Sequence, residues 1–156
     1  MSIHSVKRVA FVMSIVAVGL FAADHPFAGT WKMNVAKSKL AGTGIGSGGS
    51  VRVETDGTVY KASVDTSDDK GQPLKFDYEA TLDGKSGKVT GSTTIDELSM
   101  KQVNDHTINA TGKKGGKVVY TDKRTVSKDG KVYTISRDGT SPDGKKYHAT
   151  IVFDKQ

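Results

Sequence analysis

Short runs of alternating apolar and polar residues occupy most of this chain after residue 51. In the clearest run, Leu74, Phe76, Tyr78, Ala80 and Leu82 share one face, and the residues between them are polar. Successive side chains of a β-strand point to opposite faces, so a strand with one apolar face belongs to an antiparallel sheet with one side on a core. The pattern therefore predicts an all-β protein.

Pairs of turn-forming residues separate these runs. The Asp-Gly and Gly-Gly pairs supply the positive φ angles that two-residue hairpin loops need. The complete set of turn-forming pairs is Asp56-Gly57, Asp83-Gly84, Asn104-Asp105, Gly115-Gly116, Asp129-Gly130 and Asp143-Gly144. A longer loop is expected over 67–73, and a further turn at Gly91-Ser92. With a first strand at Trp31, these boundaries predict nine or ten strands.

A long meander of this kind hides its two edge strands by rolling into a closed barrel. We therefore expect a single antiparallel up-and-down β-barrel of about eight to ten strands over residues 24–156. A two-layer sandwich is the alternative, and it usually needs longer connections between its sheets. Residues 41–50 contain five glycines, and we expect this segment to form a flexible loop.

The first 23 residues resemble a secretory signal peptide. Lys7 and Arg8 precede an apolar stretch over residues 9–23, which ends in the small residues Ala22 and Ala23. The stretch is shorter than the roughly 20 residues that a membrane-spanning helix needs. We expect cleavage after Ala23, no membrane span in the mature chain, and a periplasmic or extracellular location.

The composition argues against a nucleic-acid partner and excludes disulfide bonds. The net charge of the whole chain is +6, but the lysines are scattered and mixed with aspartates, which indicates a solvated surface rather than a nucleic-acid-binding stripe. We therefore expect no nucleic-acid partner. The chain contains no cysteine, so the core must hold the fold together without disulfides.

The start of the mature chain carries a family resemblance. The pattern Phe27-x-Gly29-Thr30-Trp31-Lys32-x-Asn34 resembles the opening of the calycins, which include the lipocalins and the fatty-acid-binding proteins. The resemblance implies a barrel that is closed at one end by the tryptophan and that holds an apolar ligand.

A second resemblance covers most of the mature chain. The opening motif, residues 113–119 and residues 127–131 are similar to a group of small exported bacterial proteins without an established activity. The last strand departs from the fatty-acid-binding proteins. Ile151 and Phe153 stand where those proteins have the arginine and tyrosine that hold a ligand carboxylate, so that clamp is absent at these positions.

Two arginines are candidates for a ligand anchor. Arg124 alternates with Val118, Tyr120 and Val126, and Arg137 alternates with Tyr133 and Ile135. If these faces are internal, each arginine needs a counter-charge or a polar ligand, and it could anchor an anionic or carbonyl head group. The alternative is an arginine near a strand end that reaches solvent or pairs with Asp122, Asp138 or Asp96.

The aromatic residues have two interpretations that the sequence leaves open. They either line a ligand pocket or form an ordinary packed core, because a barrel of eight strands is just wide enough for either. The candidate ligand-binding residues of the barrel interior are Trp31, Phe76, Tyr78, Tyr120, Arg124, Tyr133 and Arg137.

No motif for catalysis or metal binding is found in the sequence. The histidines of the mature chain are far apart, and no nucleophile lies in a Gly-x-Ser-x-Gly turn. We expect no catalytic residues, no metal and no cofactor. The sequence favours an exported soluble barrel that binds or carries a small apolar or amphipathic molecule. The alternative is a structural or interaction protein of the cell envelope whose barrel is filled.

Overall fold

The computed structural model describes residues 24–156 and shows one closed barrel of ten antiparallel strands. The strands are β1 (Gly29–Met33), β2 (Ile45–Thr55), β3 (Val59–Asp68), β4 (Pro73–Thr81), β5 (Asp83–Thr90), β6 (Glu97–Asn104), β7 (Thr107–Lys114), β8 (Lys117–Val126), β9 (Val132–Thr140) and β10 (Lys146–Lys155). The export signal predicted over residues 1–23 lies outside the described residues.

Each strand pairs with the next one along the chain, and β1 closes the barrel by pairing with β10 as well as β2. Trp31 therefore lies between Val51 of β2 and Lys155 of β10. This topology confirms the predicted up-and-down barrel rather than the sandwich. A short 3-10 helix, Val35–Lys37, follows β1. Among residues 24–156, no helix is long and apolar enough to cross a membrane.

The turn between β7 and β8 shows how the sequence sets these connections. Gly115 and Gly116 alone link the two strands, with φ angles of +54° and +78°. Residues with a Cβ rarely adopt such angles, and consecutive positive φ values match the twist of the flanking strands. The Gly-Gly pair therefore fixes this hairpin where the sequence predicts it.

The prediction of a flexible loop over residues 41–50 is wrong for its second half, because β2 begins at Ile45. Its glycines allow a strand to run unusually close to β3. A Cβ at Gly49 would lie 2.5 Å from the carbonyl oxygen of Asp65, and one at Gly46 would overlap the backbone of Asp68. A register shift between Ile45 and Gly49 bends the strand at this point.

One end of the barrel is filled by aromatic side chains. His25 reaches across this end to within 3.2 Å of Gln102 on β6, and Phe27 beside it is fully buried. The indole Nε1 of Trp31 donates a hydrogen bond of 2.9 Å to the Phe27 carbonyl. The ring of Tyr133 packs edge-on against both Phe27 and Trp31, with centroid separations of 5.4 Å. We call this the closed end.

Candidate functional site

The other end of the barrel opens into an internal cavity of about 640 Å³. Its mouth is lined by residues 42–45, 93–95, 117–119 and 140–142, which lie in connections between strands and at the adjoining strand ends. A barrel widens with strand number, so ten strands leave room that eight would fill with side chains. The apolar residues that line its walls include Ile45, Val51, Val64, Leu74, Phe76, Ile95, Val119, Ile135, Ile151 and Phe153.

Three charged side chains are buried in the barrel interior. Asp122 and Arg124 project inward from β8, and Arg137 projects inward from β9. Their burial follows from strand periodicity, because residues 120, 122, 124 and 126 share the inward face of β8. In the cross-strand register, Asp122 lies directly opposite Arg137.

The Asp122 carboxylate accepts hydrogen bonds from both arginines. Arg124 donates to Oδ2 through Nε at 3.1 Å and Nη2 at 2.9 Å. Arg137 donates through Nε to Oδ1 at 2.7 Å and through Nη2 to Oδ2 at 2.9 Å. Such charge-assisted forked contacts fix both guanidinium groups in orientation. We refer to Asp122, Arg124 and Arg137 as the buried triad.

The triad keeps its charges despite its burial. Burial by itself raises the pKa of the Asp122 carboxyl, but the positive charges of Arg137 and Arg124 outweigh it and lower that pKa. Burial also disfavours the charged arginines, yet Asp122 raises the pKa of Arg137. The carboxylate is therefore ionised and both guanidinium groups are protonated, which leaves one positive charge in excess.

The tyrosines around the triad differ in what they offer to a ligand. The Tyr78 hydroxyl accepts a hydrogen bond of 2.8 Å from Arg124 Nη1. The Tyr120 ring lies flat against Arg137, with the guanidinium carbon 3.5 Å from the ring centroid. The Tyr133 hydroxyl lies 3.4 Å from that of Tyr60, at the boundary with the closed end. The hydroxyl of Tyr78 and the ring face of Tyr120 are thus already occupied by the two arginines.

Six of the seven candidate residues from the sequence come together around this cavity. They are Phe76, Tyr78, Tyr120, Arg124, Tyr133 and Arg137. Trp31 does not line the cavity, because it is packed into the closed end with no exposed surface. The two arginines are both internal and paired with Asp122, so the structure combines the two alternatives that the sequence left open.

Sequence reasoning missed the central role of Asp122. It has the same parity as Tyr120 and Arg124 on β8, so the alternation already placed it on the inward face. From the sequence, Asp122 is interpreted only as a partner for an arginine that lies near a strand end. The neighbouring Tyr147 also lines the cavity, where its ring occupies the space that a side chain at Gly139 would need.

The site combines charged hydrogen-bond donors with apolar walls. Guanidinium groups donate hydrogen bonds to anions, and the surrounding walls exclude water from an apolar molecule. No group of three or more histidine, aspartate or glutamate side chains is arranged for metal binding anywhere in residues 24–156.

Comparisons with known proteins add little to this description. No protein-family model and no curated protein matches the chain. Among solved structures, the chain is similar to a redesigned β-barrel, at 15% sequence identity and a TM-score of 0.48. That match covers 84% of this chain and 92% of the designed one. The strand pairing described above therefore carries the fold assignment by itself.

Proposed function

We propose that this protein is exported and that it binds or carries a small apolar or amphipathic molecule in the barrel cavity. The observation that carries the proposal is the cavity itself, which opens at one end of a barrel whose other end is filled. Its volume of about 640 Å³ falls within the usual range of small-molecule sites. Mostly apolar walls with a few fixed polar groups are the usual composition of such sites.

The cavity also argues against the alternative of a filled barrel with a purely structural role. In a filled barrel, large side chains meet across the whole interior, as they do at the closed end. At the open end, side chains such as Leu74 and Phe76 are only partly buried, because they face the cavity. When a ligand covers apolar surface of this kind, water is displaced from it and the free energy of the complex is lowered.

Native mass spectrometry of the protein purified from its own host tests both parts of the proposal. A chain mass that begins at Asp24 would support export and cleavage after Ala23. An additional mass of a few hundred daltons, lost on denaturation, would show a carried molecule and reveal its class. A chain that still begins at Met1 would count against export and cleavage. A chain without additional mass would count against a carried molecule.

A pair of substitutions on β3 locates the bound molecule. Val64 faces the cavity and Ser63 faces solvent on the same strand. Val64→Trp fills part of the cavity and is expected to abolish the additional mass, whereas Ser63→Trp is expected to retain it. If both variants keep the additional mass, the molecule binds elsewhere.

A further inference from the structure

The buried triad carries one positive charge in excess. Among residues 24–156, the charged side chains that are buried are Asp122, Arg124 and Arg137. Two positive charges therefore face one negative charge within the barrel. A charge buried without a partner costs considerable free energy, so an excess of this kind calls for a counter-ion.

The nearby tyrosines do not supply that counter-charge. Burial raises the pKa of Tyr60 and Tyr120, and it raises the pKa of Tyr133 to about 12. All three hydroxyls are therefore neutral at physiological pH. They can orient a ligand through hydrogen bonds, but they leave the excess positive charge in place.

The two arginines differ in what they have left to donate. Each nitrogen of Arg124 already has an acceptor, either on Asp122 or on Tyr78. Arg137 uses Nε and Nη2 on Asp122, which leaves its Nη1 without a bond to the triad carboxylate. Arg137 itself lines the cavity, so the part of its guanidinium that does not contact Asp122 is the part available to a bound molecule.

The surroundings of Nη1 suit the head group of an anion. The Tyr120 ring covers one face of the Arg137 guanidinium and leaves its edge free. Tyr147 also lines the cavity, and its hydroxyl lies within hydrogen-bonding reach of Arg137. Burial raises the pKa of that hydroxyl, and the charge and hydrogen bond of Arg137 oppose the rise. A guanidinium edge beside a tyrosine hydroxyl offers two kinds of donor to a single anionic group.

We propose that the molecule bound in the cavity is a singly charged amphipathic anion, whose head group accepts a hydrogen bond from Arg137 Nη1 and whose apolar part lies along the cavity wall. This inference rests on the proposed function. One negative charge balances the triad, whereas a dianion would reverse the excess and face the Asp122 carboxylate. Carboxylates, sulfonates and phosphodiesters share the required chemistry.

Two fluorescent probes with the same ring system test the charge directly. One is 8-anilinonaphthalene-1-sulfonate, which is a monoanion, and the other is N-phenyl-1-naphthylamine, which lacks the sulfonate and is neutral. Both fluoresce more strongly in an apolar cavity. We expect the full-length mature protein to bind the anionic probe at least about tenfold more tightly, because a hydrogen bond to a charged group is worth that much.

The Arg137→Met variant identifies the anchor. It leaves the Asp122–Arg124 pair, which is neutral overall, and it keeps the bulk of the side chain in place. We expect the affinity for the anionic probe to fall about tenfold or more while the affinity for the neutral probe stays within about twofold. Arg52→Met, which removes an exposed arginine on the outer face of β2, is the matched control. Arg137→Lys keeps the charge and should retain part of the preference.

The outcomes separate this inference from the function beneath it. If wild-type protein binds both probes equally, or if Arg137→Met weakens both equally, the cavity binds ligands but the inference about charge is wrong. If neither probe binds, the proposed function itself fails. Displacement of the anionic probe then distinguishes the head groups: dodecanoate tests a carboxylate, lysophosphatidylglycerol tests a singly charged phosphodiester, and dodecyl phosphate at pH 8.5 tests the disfavoured dianion.

Discussion

The two ends of this barrel are built from the same ten strands but are used differently. At the closed end, Phe27, Trp31 and Tyr133 are fully buried and pack against one another. At the open end, Leu74 and Phe76 are only partly buried because they face the cavity, and tyrosine rings cover Gly112 and Gly139. The comparison teaches that one closed barrel can be packed at one end and hollow at the other, because the segment before β1 fills only the closed end.

The buried triad lies between these two regions. Every nitrogen of Arg124 has an acceptor on Asp122 or Tyr78, whereas Arg137 uses only Nε and Nη2 on Asp122. The triad therefore belongs to the core through Arg124 and to the site through Arg137. Substitutions at the closed end, in the triad and at the open end should separate the free energy of folding from the free energy of ligand binding.

The largest effect on stability is expected at the closed end. Trp31→Ala removes a fully buried indole and its hydrogen bond to the Phe27 carbonyl. We expect the free energy of unfolding to fall by about 3–5 kcal/mol. Urea denaturation followed by far-UV circular dichroism measures this, because Trp31 is the sole tryptophan and its fluorescence is lost in the variant.

A small loss for Trp31→Ala would overturn the distinction between the ends. If the free energy of unfolding fell by less than about 1 kcal/mol, the closed end would not be the main core. Val35→Ala provides a control for a general effect of side-chain truncation, since Val35 is an exposed apolar residue just after β1. That variant should unfold at the same urea concentration as the wild type.

The next largest effect is expected at the triad. Asp122→Asn removes the carboxylate that holds both guanidinium groups and leaves two positive charges side by side in the interior. We expect a loss of about 3 kcal/mol or more in the free energy of unfolding, because the remaining charges are buried without compensation. Thermal and urea unfolding at low and high salt measure it.

A triple variant shows whether that loss arises from uncompensated charge. Asp122→Leu combined with Arg124→Met and Arg137→Met replaces the triad with apolar groups of similar size. Buried ion pairs replaced in this way often leave stability unchanged or improve it, so we expect the triple variant to recover most of the loss. A triple variant as unstable as Asp122→Asn would instead indicate that the triad contributes through its shape and hydrogen bonds.

The fold was predictable from the sequence because its signals are local. The alternation from Leu74 to Leu82 and the turn at Gly115-Gly116 each require only a few neighbouring residues, and both agree with the structure. The inward position of Arg124 and Arg137 followed from the same parity. The count of turns gave the range of nine or ten strands, and the need to hide two edge strands predicted closure.

The departures from prediction have non-local causes. Val118 shares the parity of Tyr120, but a register shift between β7 and β8 leaves it 55% exposed at the mouth. Trp31 lies outside the cavity because the segment before β1 crosses beneath the barrel, which no alternation encodes. The size of the cavity depends on how ten curved strands meet, so the choice between a filled and a hollow barrel could not be read from aromatic content.

The smallest stability effect is expected at the open end, with Phe76→Ala. Phe76 is only partly buried, since one side of its ring faces the cavity and the other stacks on Tyr78 at 6.3 Å. Truncation enlarges a space that already exists instead of creating a new one, so the cost should be about 1 kcal/mol rather than the 3–5 kcal/mol typical of a closed core. The lost wall contacts should weaken ligand binding, because the covered apolar area decreases.

Measured side by side, urea unfolding and probe titration of Phe76→Ala and Trp31→Ala complete the comparison. Binding that weakens while stability barely changes places Phe76 in the site. A stability loss as large as that of Trp31→Ala would show that the open end is as tightly packed as the closed end. The interior would then be one continuous core, and the proposal that the cavity is a binding site would be wrong.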